Sequence, residues 1–186
     1  MNPVTGKILR VFPAVMVTLV VVGAAGVGIA LSGLVNVSAM NNDPAPVEWF
    51  LSTTMDRSVA RHSKGITAPS LTGKERIAEG FEHFDAMCES CHGSPGSEPS
   101  VLAKGLNPHA PDLTDTAQEW TAEQIFWITK YGVKMTGMPA WGTTHSDEEI
   151  WNIVAFVKRL PEVSPAEYQR LRKNTTGDMD HARVRD

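Results

Sequence analysis

The longest apolar run in the chain, "VFPAVMVTLVVVGAAGVGIAL", covers 21 positions from Val11 to Leu31, and Thr18 is its only polar side chain. As a helix rising ~1.5 Å per residue it would reach ~31 Å, enough to cross a bilayer core. A cleaved secretory signal is the rival reading, because Val37-Ser38-Ala39 offers small residues to a signal peptidase. Signal cores run to only ~7 to 15 apolar residues, so the pattern predicts a retained transmembrane anchor over residues 11–37.

Past the anchor the pattern turns polar. The two prolines of "NNDPAPVEWF" interrupt any continuing helix, and Trp49 and Phe50 suit a membrane interface. Residues 47–64 read either as a short surface helix or as a solvated spacer. In a helix Arg57, Arg61 and Lys64 would share one face, available to lipid headgroups or to a partner subunit. "GITAPS", residues 65–70, reads as a linker.

Three amphipathic helices follow. Thr72 and Glu75 have capping-box spacing, and Ile77, Phe81, Phe84 and Cys88 recur at i, i+4, i+7 and i+11. A second helix is predicted over 121–131, with Ile125 and Ile128 on one face and Gly132 just past its end. The third opens at Ser146-Asp-Glu-Glu149, carries an Ile150, Ile153, Val154, Val157 stripe, and stops at Pro161. Residues 93–120 and the stretch "VKMTGMPAWGTTH" read as loops, and the first is long enough to wrap something. No stretch alternates like a strand, so the expected class is all-α. The predicted organisation is a cytoplasmic N-terminus (1–10), the anchor (11–37), a juxtamembrane segment and linker (38–70), a main domain (71–160), and a short helix with a polar, frayed tail (161–186).

Charge adds sidedness. The 186 residues carry 17 basic and 21 acidic side chains, net −4, with no basic stripe, which argues against a nucleic-acid partner. Lys7 and Arg10 are the only charges before Asp43. The positive-inside rule therefore predicts a single-pass protein of the cytoplasmic (inner) membrane, with its N-terminus in the cytoplasm and its main domain on the periplasmic, or extracytoplasmic, side. Membrane lipid around residues 11–37 is the first partner implied.

The chemistry lies in "MCESCHG", residues 87–93, which contains the chain's 2 cysteines. Cys-x-x-Cys serves dithiol redox pairs, zinc half-sites and covalent haem attachment. A thioredoxin-like motif would sit among strands, and none is predicted; a structural zinc would need a further pair of ligands, and no other cysteine exists. On a helical turn Cys88, Cys91 and His92 share a face, so two thiols can add across the haem vinyl groups while the imidazole meets the iron. One haem c, joined through Cys88 and Cys91, is the expected cofactor, and the predicted sidedness agrees with it.

With that motif, the chain resembles a class I cytochrome c. Gly80, Phe84 and Cys88 reproduce the family's spacing of glycine, aromatic and first haem cysteine, and "IVAFVKRL" (153–160) is similar to its C-terminal helix. The resemblance covers about residues 73–160. It implies a cytochrome c fold of three or more helices around one covalent haem, preceded here by the transmembrane helix. It also implies His92 and Met138 as iron ligands, since "GMPAW" resembles the family's Met-Pro segment; Met135 is the nearby competitor, and His109 and His145 are the bis-histidine alternatives. In "HAPDL", Pro111 resembles the family's proline whose carbonyl accepts the proximal histidine's Nδ1 proton, and Leu113 would pack on the haem. Trp141 has two readings, against a propionate or in the core. His83 is expected in solvent, and His62 and His181 outside the domain.

A six-coordinate iron leaves no position for substrate, so the resemblance implies an electron carrier and not an enzyme. Redox partner proteins, membrane respiratory complexes above all, would complete it, with Lys130 and Lys134 as a local basic rim. Ala24, Gly28 and Ser32 form a small-residue face on the predicted span that permits helix packing. A haem enzyme or gas sensor is the alternative if Met138 is absent from the iron.

Overall fold

The computed structural model describes the backbone of residues 3–183 and the side chains of residues 11–175; Lys7, Arg10 and His181 lie outside the described side chains. All regular structure among the described residues is helical. The chain divides into two compact units, Met1–Asn41 and Asn42–Asp186.

The first unit is helix α1, Pro3–Leu31. Its segment Val11–Leu31 has a mean hydropathy of 2.5, and the apolar side chains described there are exposed. By length and composition this helix is apolar enough to cross a membrane. Thr18 Oγ1 donates to Ala14 O at 3.0 Å, so the one hydroxyl in that stretch is satisfied within the helix. The helix stops at Leu31, short of the expected boundary at 37, because Gly33 takes φ 71° and Ser32 folds back on Ile29 O at 2.7 Å. Ser32 therefore lies outside the helix, and the small-residue face shortens to Ala24 and Gly28.

The second unit begins with α2 (Ala45–His62) and continues through α3 (Lys74–His83), which runs by a π-turn (Phe84–Cys88) into α4 (Glu89–His92). After a long loop come α5 (Leu113–Thr116), α6 (Ala122–Tyr131), α7 (Asp147–Arg159) and α8 (Pro165–Arg183). The predicted boxes at Ser146 and Thr72 differ in outcome. Ser146 forms the reciprocal box with Glu149, and Thr121 forms one with Gln124. Thr72 does not: α3 starts from Gly73 without a side-chain cap, and Thr72 Oγ1 instead pairs with Ser70 Oγ at 3.2 Å.

The α3–α7 crossing organises the core. A Cβ placed on Gly80 would come within 2.6 Å of the Asn152 carbonyl carbon and 3.1 Å of Phe156 Cβ, so only a glycine lets the two backbones meet. Beside that contact, Phe81 packs edge-on against Phe156 (centroids 5.3 Å) and Tyr168 (5.2 Å), and Phe84 lies 5.3 Å from Phe156. Helix α6 closes the other side of α7 by stacking Phe126 on Trp151 at 4.1 Å. These rings exclude water from one continuous core.

Three elements differ from the expectations. Helix α2 docks on the domain where a surface helix or spacer was expected: Val59 is 0% exposed, and His62, expected outside the domain, stacks on Trp127 at 5.6 Å. The loop 93–120 contains a 3-10 turn at Ala103–Gly105 as well as α5. The segment read as short helix and tail forms α8, whose Tyr168 is 0% exposed. Apolar burial thus extends beyond the three predicted stripes at both ends.

Gly80→Ala is expected to cost ~1 to 3 kcal/mol, the usual range for forcing extra volume into a packed core. Denaturant unfolding of the haem-loaded protein measures it, and a change within ~0.5 kcal/mol, the range of an ordinary surface substitution, would contradict the backbone contact.

Candidate haem-attachment site

The motif sits where α3 changes register. The π-turn Phe84–Cys88 ends on Cys88, and the single turn of α4 carries Cys91 and His92. A π-turn accommodates one extra residue per turn and often marks a functional position in a helix. Here both Phe84 and Cys88 are buried, Cys91 is half-buried, and both thiols are free. Burial, and then the neighbouring Cys91, pushes the Cys88 thiol up to about 12. A buried sulfur in apolar surroundings suits a thioether.

The His92 Nδ1 is 2.8 Å from Pro111 O. A carbonyl only accepts, so Nδ1 is the protonated nitrogen and donates, leaving the Nε2 lone pair free for a metal. Burial lowers the His92 pKa, partly opposed by the Pro111 carbonyl and Asp112, and this favours the neutral, ligating imidazole. The carbonyl is itself held in place: Asp112 caps α5 by accepting from Thr114 N–H at 2.7 Å, and its own carbonyl accepts from Thr116 N–H at 3.0 Å. Leu113, first residue of α5, packs against the hydrophobic core. On the other side, Gly93 (φ 72°) ends α4 directly after His92, and Ser100 N–H donates to Ser90 O at 2.9 Å, returning the loop to the motif. An open cavity of about 200 Å³ lies beside Cys91, bordered by Pro99, Ala103, Lys104 and His109.

Met138 is carried by a loop closed on itself. Val133 N–H donates to Met138 O at 3.2 Å, while Thr136 Oγ1 accepts from Met138 N–H at 3.1 Å and donates to Val133 O at 2.8 Å. A Cβ on Gly132 (φ 66°) would meet Met138 O at 2.9 Å, and one on Gly137 would meet the Leu106 methyls at 2.9 Å. The Met138 loop therefore rests on the 103–106 segment, between His92 and Pro111 in the chain. Met138 is half-buried; Met135 has φ 62° and is 83% exposed, with its thioether on the solvent side. Trp141 opens a 3-10 turn, and its ring meets His145 edge-on at 5.4 Å. His145 also meets His83 at 5.3 Å, so His83 is half-buried where solvent was expected; His109 is exposed.

One group escaped the sequence reading. Asp85, in the π-turn, accepts from Tyr168 Oη–H at 2.9 Å and from Arg172 Nε–H at 2.7 Å, and Arg172 also pairs with Glu89 at 3.4 Å. Asp85 and Glu89 stand one helical turn apart, as do Tyr168 and Arg172, so two i, i+4 pairs face each other and tie α8 to the attachment turn. That shared spacing was the available signal, in a segment read only as a short helix before a polar tail.

Two unpaired thiols and an imidazole with a free Nε2, presented on a helical turn, fit a covalently joined haem. This helical fold and its one Cys-x-x-Cys-His motif define a monohaem cytochrome c, a module of haem-based electron transfer. Residues 75–157 match the family model described as cytochrome C oxidase, cbb3-type, subunit III. The match takes in α3 through nearly all of α7 and leaves out α1, α2 and α8. No curated protein matches the chain.

Burial, and then the bond to Asp85, raises the Tyr168 pKa above its usual ~10. A raised folded-state pKa means that stabilisation is complete below pH ~10 and is lost as pH climbs through the folded value. Tyr168→Phe is expected to lower stability by about 1 kcal/mol at neutral pH and to flatten the parent's decline above pH ~10. Unfolding curves across that interval test both parts, and identical alkaline profiles would refute the assignment.

Proposed function

We propose that the chain is a membrane-tethered monohaem c-type cytochrome that transfers single electrons on the outer face of the cytoplasmic membrane. The observation that carries this reading is the 2.8 Å bond from His92 to Pro111, beside the two free thiols of Cys88 and Cys91. Cys88 and Cys91 would hold the haem, and His92 and Met138 would ligate its iron. The bound haem supplies a one-electron centre, and a methionine ligand favours its reduced state.

The protein's own residues give that centre its surroundings. The Pro111 carbonyl orients His92 and raises its basicity as a ligand. Leu113 would line the haem, and Trp141 would lie against its edge. The half-buried thioether of Met138, in contrast to the exposed one of Met135, supports Met138 as the sixth ligand. With His92 and Met138 both holding the iron, substrate would find no open position on it, and the protein would act as a carrier.

The exposed apolar helix α1 supports single-pass anchoring, and Lys7 and Arg10 before it support a cytoplasmic N-terminus. The haem domain would then face the periplasm and exchange electrons with membrane respiratory complexes. Of the two roles open to a tethered carrier, the matched family's description favours a haem subunit of an oxidase over a freely moving shuttle. Purification in mild detergent followed by haem staining tests that choice: the subunit reading requires a larger haem-staining assembly, and a lone chain would refute it.

Met138→Ala is expected to lower the midpoint potential, abolish the far-red band of methionine-ligated ferric haem, and admit carbon monoxide at neutral pH. Met135→Ala should leave all three unchanged. Parent-like spectra and potential in Met138→Ala would remove Met138 from the iron.

A further inference from the structure

We infer that α2 is a membrane-surface arm: its outward aromatic and basic residues seat on an anionic lipid bilayer, and its docked end fixes which face of the haem domain turns towards that bilayer. The inference rests on the reading of α1 as a membrane span. Residues 32–44 separate the two helices and, fully extended, bridge at most ~45 Å. Helix α2 therefore begins within that reach of lipid.

The helix has two functional faces. Val59 and Ser63 are buried, and with the His62–Trp127 stack they hold α2 on the domain through α6. At ~100° per residue, Phe50, Arg57 and Arg61 fall within ~40° of one another, centred opposite Val59. All three are exposed, as is Lys64 just past the helix end. Among the described residues none of the three cations is in an ion pair. The helix's carboxylates, Glu48 and Asp56, fall on the Val59 side, within ~60° of it.

Charge is therefore segregated around the helix, with the cations opposite Val59 and the two carboxylates, also exposed, on the side nearer to it. The N-terminal turns add Trp49, 67% exposed, and Phe50, 60% exposed. Exposed aromatic rings beside a cationic face match the boundary between acyl chains and anionic headgroups. A solvated spacer would gain nothing from either feature. Since α2 does not hang free but is packed on α6, lipid contact along its outer face would orient the haem domain as well as tether it.

The test uses the full haem-loaded chain in nanodiscs containing anionic lipid. Nitroxide labels are placed singly through Val20→Cys, Phe50→Cys or Val101→Cys; the parent, whose own thiols the haem reading places in thioether bonds, should take up no label. The readout is accessibility to oxygen, which partitions into lipid, relative to a water-soluble nickel chelate. The ratio at position 50 is expected to exceed that at position 101 several-fold, and to fall to the position-101 value when Arg57→Glu and Arg61→Glu are added. A water-like ratio at 50 with a lipid-like ratio at 20 would overturn the arm and leave the anchor standing. A water-like ratio at 20 would overturn the anchor, and the arm with it. A label at 50 shielded from both reagents would mean that protein covers this face, and would overturn the lipid assignment.

Discussion

Backbone contact between Gly80 and Asn152 is the constraint from which the rest of the cytochrome c domain is built. It sets the closest approach of α3 and α7, and so the depth at which Phe81, Phe84 and Phe156 interlock. Because the attachment turn continues directly from α3, the angle of that crossing also decides where Cys88, Cys91 and His92 are presented. A larger residue at 80 would disturb the position of the motif as well as the packing.

The polar groups around the crossing reinforce it. Asn152 is nearly buried on α7, and its amide donates to Glu79 at 2.5 Å while its carbonyl accepts from Arg76 at 2.7 Å. Arg76 also reaches Glu148 at 2.5 Å. Both ends of the Asn152 amide are thus satisfied by α3, and no buried side-chain polar atom among the described residues lacks a partner. Buried polar groups that find partners only in one arrangement penalise sliding of the helices, which apolar contacts alone would tolerate. At the far end of α3 the Asp85, Tyr168 and Arg172 contacts act similarly, so the helix bearing the motif is held near both ends.

Periodicity made the three main helices legible, because each has one apolar stripe and a terminal signal. Ser146 with Glu149 forms the box expected of it, since the residues after Ser146 are free to enter a helix. Thr72 lacked that freedom: Gly73 in extended conformation took the cap position, and a spacing rule says nothing about which neighbour does so. The docking of α2 was hidden for another reason. Its contacts with the domain, the buried Val59 and Ser63 and the exposed His62 stacked on Trp127, include only one aliphatic residue, so the apolar side looked too thin to bury. Helix α8 was expected only as a short helix before a polar tail, because charged residues crowd around Tyr168, although one of those charges, Arg172, is what fastens it to Asp85. The residues named for the site came from a short motif and a resemblance, and long-range geometry was needed to put Pro111 against His92.

The π-turn between Phe84 and Cys88 gives the helix a phase offset. An uninterrupted α-helix would turn about 100° per residue, so deleting a single residue between Gly80 and Cys88 would rotate the sulfurs and the imidazole away from the loops that face them while leaving the helix itself well formed. The length of this short segment therefore sets the direction in which the motif faces, and a shift in that length would do more harm than many substitutions along it.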